Sequence, residues 1–279
     1  MGPTQGDATL AQEIAAEAGR TLNALRVTTA AAATADSPLD EGSLRSAGDA
    51  AAQASISAAL TAARPEDAVL SEEAADDPRR LIAERVWIID PLDGTREFGE
   101  RDAAGVWRDD FAVHVALWER GQGLTLGVVA LPARGVIYSS DAPPAVPPSP
   151  IGPLRIAVSR TRPPSFIAAL ESSGNATLLP MGSAGVKVMS VVSGEADAYI
   201  HAGGQYQWDS AAPVAVALAA GLVATRLDGS PLRYNVPELL LPDLVVCHPD
   251  RADEVRLLLD AAGYGPDGAS SAGAAESAG

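Results

Sequence analysis

The residues best equipped for chemistry in this chain are acids placed at the ends of apolar runs. In WIIDPLDGTREF, residues 87–98, a bulky strand-like run delivers Asp90 and Asp93 straight into a turn, with Pro91 fixing the backbone between them. Two carboxylates on such a corner, with the Leu92 carbonyl between them, form an oxygen cage that suits a hard cation such as Mg²⁺ better than a soft one. Glu72 and Glu73 follow a second short strand-like run in LSEE, and Asp209 begins a helical stretch in QWDSAAP. Acids in this number repel one another unless cations sit among them, and a phosphate then becomes the natural third party. Taken singly, each piece also has a plain structural reading: a capped surface turn for DPLDG, a solvated face for the glutamate pair, a helix N-cap for Asp209.

These acids need elements to hold them. Residues 8–25 and 49–63 carry apolar positions at helical spacing. Strand-like segments follow at 68–70, 85–89, 111–118 and 124–138, the last interrupted by the turn LPARG. The stretch APPAVPPSPIGP, residues 142–153, is too rich in proline for a helix or an inner strand and reads as a linker. Beyond it, strands at 154–158, 196–201, 222–227 and 244–247 alternate with helices at 164–172, 185–192, 210–220 and 252–262, which is an α/β pattern. The expected division is an unstructured start at 1–7, an N-terminal α+β subdomain with the metal site at 8–141, the linker, a C-terminal α/β subdomain at 154–265 and an unstructured tail at 266–279.

Composition narrows the partners. The 279 residues, 47% of them hydrophobic, suffice for a substantial core. A formal charge of -16 removes the basic face that a grip on a nucleic-acid polymer requires, so the expected partner is a small phosphate ester held by local cations. Cys247 is the only cysteine, which excludes an internal disulfide and a multi-cysteine zinc site. No apolar run reaches the roughly 18 residues of a membrane span, no export signal is evident, and the expected location is the cytoplasm.

The ordered set AGD around Asp49, LSEE, WIIDPLDGTREF, FAVHVALWE, MGSAG through HAGG to WDSAAP, and GLVATRLDGSPLRYN resembles the inositol monophosphatase superfamily of magnesium-dependent, lithium-sensitive phosphatases. Within it the similarity is greatest to the CysQ-type 3′(2′),5′-bisphosphate nucleotidases, through Arg96-Glu97-Phe98, the AAP ending at Pro213 and Lys187. The resemblance implies a layered αβαβα sandwich of the inositol monophosphatase and fructose-1,6-bisphosphatase type, α/β (α+β) in class, with two closely packed subdomains and two to three Mg²⁺ between them. Glu72, Asp90 and the Leu92 carbonyl would hold one ion, Asp90, Asp93 and Asp209 a second, and Glu72 with water a weaker third. Asp49 and Thr95, with Glu72, would activate the attacking water. Gly94 and Thr95 would turn backbone N–H groups on the phosphate, and Ser183, Lys187 and His201 would line the substrate site. The implied reaction is removal of the 3′-phosphate of adenosine 3′,5′-bisphosphate, with its sulfated precursor as a further substrate. Inositol-1-phosphatase or fructose-1,6-bisphosphatase activity is the alternative on the same scaffold, and a non-catalytic phosphometabolite sensor the alternative of another class. Relatives are often dimers, which leaves a homodimer open.

The pattern departs from the family at several places. Arg45 stands where many relatives carry a lysine shortly before the aspartate matched by Asp49, and His114 stands in FAVHVALW where asparagine is usual. His114 reads as a packed or hydrogen-bonded core residue, whereas His201, just before Gly203-Gly204, reads equally as a ligand contact or as structure. Of 20 basic residues, Lys187 is the sole lysine, which suggests a place where a compact ammonium is needed and a planar guanidinium does not fit.

Overall fold

The computed structural model describes residues 5–34, 39–161, 163–164, 166–167, 174 and 176–264. The chain runs α1 (Gln5–Ala32), α2 (Glu41–Ala63), β1 (Ala68–Ser71), β2 (Arg85–Asp93), α3 (Thr95–Gly99), β3 (Ala112–Glu119), β4 (Gly123–Leu131) and β5 (Val136–Ser139). It continues through β6 (Leu154–Ser159), β7 (Ala176–Met181), α4 (Ala184–Val192), β8 (Ala198–Tyr206), α5 (Gln207–Ala219), β9 (Val223–Thr225), β10 (Leu240–Cys247) and α6 (Ala252–Ala261). The first five strands form one sheet in the order β1-β2-β3-β4-β5, and the second sheet has the order β7-β6-β8-β10-β9.

Alternation along the strands builds the layers. In β2, Trp87 and Ile89 enter a cluster with Ala11, Ala15, Leu22, Ile56 and Leu60, so α1 and α2 cover that face of the first sheet. Val86 and Ile88 point the other way, into a core shared with Val188 and Val191 of α4, Ala212 and Val216 of α5, and Tyr199, Leu244 and Val246 of the second sheet. The outer face of the second sheet, with Ile156, Ala198, Ile200 and Val245, packs against Val255 and Leu259 of α6. The result is helix pair, sheet, helix pair, sheet, helix: the αβαβα sandwich expected from the motifs.

Several bounds differ from those read from sequence. α1 begins at Gln5, so 5–7 are ordered, because buried Asp7 pairs with Arg64 and Arg85, each at 2.9 Å. α2 begins at Glu41, eight residues before the expected start, where the Asp40 side chain accepts from Gly42 N–H at 3.0 Å and caps the helix. β7 and α3 were not foreseen, and β8 runs past its expected end at His201 to Tyr206, through two left-handed glycines. Residues 140–153 form no helix or strand and join β5 to β6. Most of the helix expected at 164–172, the first four residues and the tail from 266 lie outside the described residues. Among the described residues no helix is long and apolar enough to cross a membrane.

Candidate active site

The alternation that buries β2 also aims its acids. Asp90 follows Val86 and Ile88 on the inner face of the first sheet, toward α4 and α5, and is 0% exposed. Its Oδ1 accepts Leu92 N–H at 3.1 Å, while Oδ2 has no donor among the described residues so long as both acids are ionised, a hydrogen bond between Asp90 and Glu72 requiring that one of the two carboxyls hold a proton. The register of β2 on β3 shifts between Asp90 and Asp93, and this irregularity brings the second acid round to the same seam. Asp93 Oδ2 accepts Gly185 N–H at 2.6 Å and the Ser183 hydroxyl at the start of α4. Asp209, in the first turn of α5, accepts Tyr206 N–H at 2.5 Å. One carboxylate oxygen from each of Asp90, Asp93 and Asp209 lies within 4.8 Å of the others.

Among the described residues no arginine forms an ion pair with these three acids or with Glu72. The electrostatic result falls on Asp209, Asp90 and Glu72. Burial, then Asp93 and Glu72, push Asp209 up to about 8, and desolvation followed by Asp93 and Glu72 raises Asp90 well above the carboxylate range. Glu72 is solvent-exposed as a residue, yet its carboxyl is crowded by the seam. Desolvation, with Asp93, Glu73 and Asp49 adding to it, takes it to about 7. Such carboxyls remain protonated near neutral pH unless a cation replaces the protons. An all-oxygen set with an orphaned, fully buried Asp90 Oδ2 therefore fits a hard divalent cation such as Mg²⁺.

Beside the seam, Thr95 Oγ1 lies 3.1 Å from Asp49 Oδ1 and 3.0 Å from the Leu92 carbonyl, donating to one at a time. Burial raises Asp49 to about 6, against the opposing hydrogen bond from Thr95. Gly94 joins β2 to α3 at φ 85°, and a side chain there would also meet the Asp110 carbonyl at 3.1 Å and Ser183 at 3.2 Å, so only glycine fits. Asp49, Glu72, Asp90, Leu92, Asp93, Gly94, Thr95, Ser183 and Asp209 thus belong to one neighbourhood, although Asp49 and Asp209 are 160 positions apart.

The remaining expected residues sit behind or beside it. Lys187 is 3% exposed, donates from Nζ to the Gly182 carbonyl at 2.5 Å and lies 5.2 Å from the Tyr199 ring centroid. His114 is fully buried; Nδ1 donates to the Trp208 carbonyl at 3.2 Å, and Nε2 lies 3.3 Å from Asp93 Oδ2. α4 approaches so closely that a side chain at Gly185 would come within 2.1 Å of His114 Nε2. His201 Nε2 donates to the Gly204 carbonyl at 2.8 Å, so this ring nitrogen ties down the glycine turn. Arg45 pairs with Glu41 at 2.8 Å. Sequence reasoning missed Asp110 and Arg160, and took Glu97 only as part of the motif Arg96-Glu97-Phe98. Arg160 bridges Asp110 and Glu97, and Asp110 accepts Gly182 N–H at 2.8 Å, fixing the corner that carries Ser183. The available signal was the acidic pair Asp109-Asp110 at the head of β3, a second place where acids adjoin an apolar strand.

The inositol monophosphatase family model matches residues 6–144 and 149–258. A 3′-phosphoadenosine 5′-phosphate phosphatase of Mycobacterium leprae is 49% identical over 264 residues, covering 91% of this chain and 92% of that protein. The 3′(2′),5′-bisphosphate nucleotidase CysQ of Escherichia coli K12 is 34% identical over 209 residues, covering 70% of this chain and 81% of its own length. The crystal structure of CysQ from Bacteroides thetaiotaomicron superimposes with a TM-score of 0.71 at 27% identity, covering 87% of this chain and 97% of that one. With the acid seam, the αβαβα layers and a family match over nearly the whole described chain in agreement, this protein belongs to the inositol monophosphatase family.

Proposed function

We propose that this protein is a Mg²⁺-dependent phosphomonoesterase that converts adenosine 3′,5′-bisphosphate to AMP and phosphate, and that also takes the sulfated form of that nucleotide. The observation that carries the reading is the convergence of Asp90, Asp93 and Asp209 within 4.8 Å, beside the Thr95–Asp49 pair at 3.1 Å. The similarity to 3′-phosphoadenosine 5′-phosphate phosphatases supports the choice of substrate over inositol 1-phosphate or fructose 1,6-bisphosphate.

Glu72, Asp90 and the Leu92 carbonyl would hold one ion, Asp90, Asp93 and Asp209 a second, and Glu72 with water a third. Bound there, Mg²⁺ supplies charge neutralisation on the phosphoryl and leaving oxygens and lowers the pKa of water. The protein's own part is positional and protolytic. Thr95 donates its hydroxyl proton to Asp49, which leaves its oxygen lone pairs free to accept from a water held in line with the phosphorus. Asp49, at about 6, is a base matched to neutral pH and takes the proton through Thr95. Gly94 and Thr95 turn N–H groups toward the phosphate, and Ser183, held by Asp93, closes the far wall. Lys187 on α4 and His201 on β8 are the further candidates for substrate contact, and Lys187, buried on the Gly182 carbonyl, would have to leave that bond to meet the phosphate that is not cleaved. The site lies between the units 8–141 and 154–265.

Phosphate release from adenosine 3′,5′-bisphosphate, inositol 1-phosphate and fructose 1,6-bisphosphate, with Mg²⁺ and with excess chelator, tests the reading. The expected result is metal-dependent turnover that favours the nucleotide. Full turnover in chelator, or preference for inositol phosphate, overturns it.

A further inference from the structure

At the rim of the acid seam the chain places an aromatic pair that phosphate chemistry alone does not explain. Tyr206 ends β8, immediately before α5, and its ring is stacked on Trp208 with centroids 4.7 Å apart and planes 8° from parallel. Trp208 is buried, and its backbone carbonyl accepts the Nδ1–H of His114 at 3.2 Å, so the backbone that carries the inner ring is held by the same histidine that abuts Asp93. Tyr206, by contrast, is 47% exposed, and its cross-strand partner Leu240 is 45% exposed. Leu240 in turn packs over Gly204, within 3.3 Å of where a side chain there would begin. One face of the Tyr206 ring is thus covered by Trp208 while the residue as a whole remains open. The backbone N–H of the same residue donates to Asp209 at 2.5 Å, so the backbone that carries the ring adjoins a carboxylate of the seam.

We infer that Tyr206 is a specificity-determining residue, whose open ring face stacks the base of a nucleoside 3′-phosphate while its ester group lies in the seam. The inference rests on the phosphomonoesterase reading and adds to it the means by which a nucleotide is told from a polyol or sugar phosphate. A ribose spaces its base from the 3′-phosphate by about the distance a tyrosine side chain spans. An aromatic face holds a base through dispersion and π-stacking, which do not depend on charge. That matters in a chain of formal charge -16, whose overall charge balance does not draw an anionic nucleotide. Trp208 behind the ring makes the platform rigid before the ligand arrives, so little ordering cost remains at binding. Inositol and fructose phosphates have no π-face to present to it.

The test compares wild type with Tyr206→Ala, Tyr206→Phe and Tyr206→Trp on adenosine 3′,5′-bisphosphate and on ribose 3,5-bisphosphate, which carries the same two phosphates and no base. Because the bond to Asp209 comes from the backbone, side-chain replacement leaves that carboxylate anchored. Tyr206→Ala is expected to raise KM for the adenosine compound by roughly tenfold or more with little change in kcat, and to leave KM for the ribose compound within about twofold. The aromatic variants are expected to stay near wild type on both. Equal losses on the two substrates, or no loss on either, overturn the inference and leave the phosphatase reading standing. Failure of the wild type to hydrolyse adenosine 3′,5′-bisphosphate overturns both.

Discussion

At the start of β2, Arg85 lies among three carboxylates: Asp7 at 2.9 Å, Asp67 at 3.1 Å and Glu119 at 3.1 Å. Arg64 adds a second contact to Asp7, and the Trp87 indole N–H donates to Asp67 at 2.8 Å. At the other end of the same strand, Asp90 and Asp93 meet Asp209 and Glu72 with no arginine paired to any of them among the described residues. Both ends gather acids in partly buried places, yet only the first has ion pairs to match them, since Lys187 lowers Asp209 less than burial and Asp93 raise it. A buried charge left without a partner is costly, so a cluster that the protein declines to neutralise is one whose cation comes from outside. The first end fastens α1 to the sheet; the second is built to receive an ion.

Substitution at each end separates the two roles. Asp93→Asn and Asp209→Asn each remove a charged oxygen from the seam while keeping shape, and an asparagine carbonyl at 209 still accepts Tyr206 N–H. Turnover is expected to fall about a thousandfold or more, about 4 kcal/mol of barrier, with thermal stability unchanged or higher because a self-repelling acid has gone. A kcat within about tenfold of the parent would remove these residues from the metal site. Arg85→Met reverses the pattern. It strands three acids, so stability is expected to fall by about 3 kcal/mol in chemical denaturation while kcat of the folded enzyme holds. A loss of kcat without a loss of stability would break the comparison.

The seam also predicts a linkage between metal, pH and stability. Glu72 and Asp209 titrate at about 7 and about 8 when folded, above the ordinary carboxylate values they regain on unfolding. Without metal the folded state therefore binds more protons than the unfolded one, and stability falls as pH rises from about 4 to about 8. Mg²⁺ replaces those protons, so the increase in Tm on adding Mg²⁺ is expected to be larger at about pH 8 than at about pH 5.5. Calorimetry at the two pH values decides it, and an increase that is equal at both, or larger in acid, counts against a cation among these acids.

How much of this was legible beforehand depended on range. The motif around Asp90 and Asp93 could be read because its ligands are close in sequence and the strand before them alternates cleanly between two cores. The order of helices and strands gave the α/β pattern, and the layers came from the resemblance carried by the motifs. What was hidden was local in appearance and long-range in cause. β7 carries Pro180 and exposed positions at a sheet edge, so no period marks it as a strand. The end of β8 reads as a loop because Gly203 and Gly204 interrupt it, which concealed Tyr206 as part of the rim. The burial of Lys187 and the hold of Ser183 on Asp93 arise from α4 closing on β2 across about ninety residues, and no spacing in the sequence encodes that approach.

The smallest expected effect tests whether an acid at a helix start is always more than a cap. Asp40 and Asp209 are both set at the first turn of a helix and both accept a nearby backbone N–H: Gly42 at 3.0 Å for the former, Tyr206 at 2.5 Å for the latter. Asp40 also receives the Ser43 hydroxyl at 2.6 Å, and that bond, with those from the backbone, lowers its pKa. Asp209 instead lies among other acids and is pushed the opposite way, to about 8. Asp40 is the N-cap of its helix and Asp209 the third residue of its own, and the opposite shifts follow from the local Ser43 bond at the first and from burial beside Asp93 at the second. Asp40→Ala is expected to lower stability slightly, through the loss of the N-cap, and to leave kcat unchanged although α2 carries Asp49. Urea denaturation and phosphate release on the same preparation measure both. If turnover fell in step with the loss of the cap, the placing of Asp49 would depend on the fraying of α2, and the separation between structural and ion-binding acids drawn from the two ends of β2 would not extend to this helix.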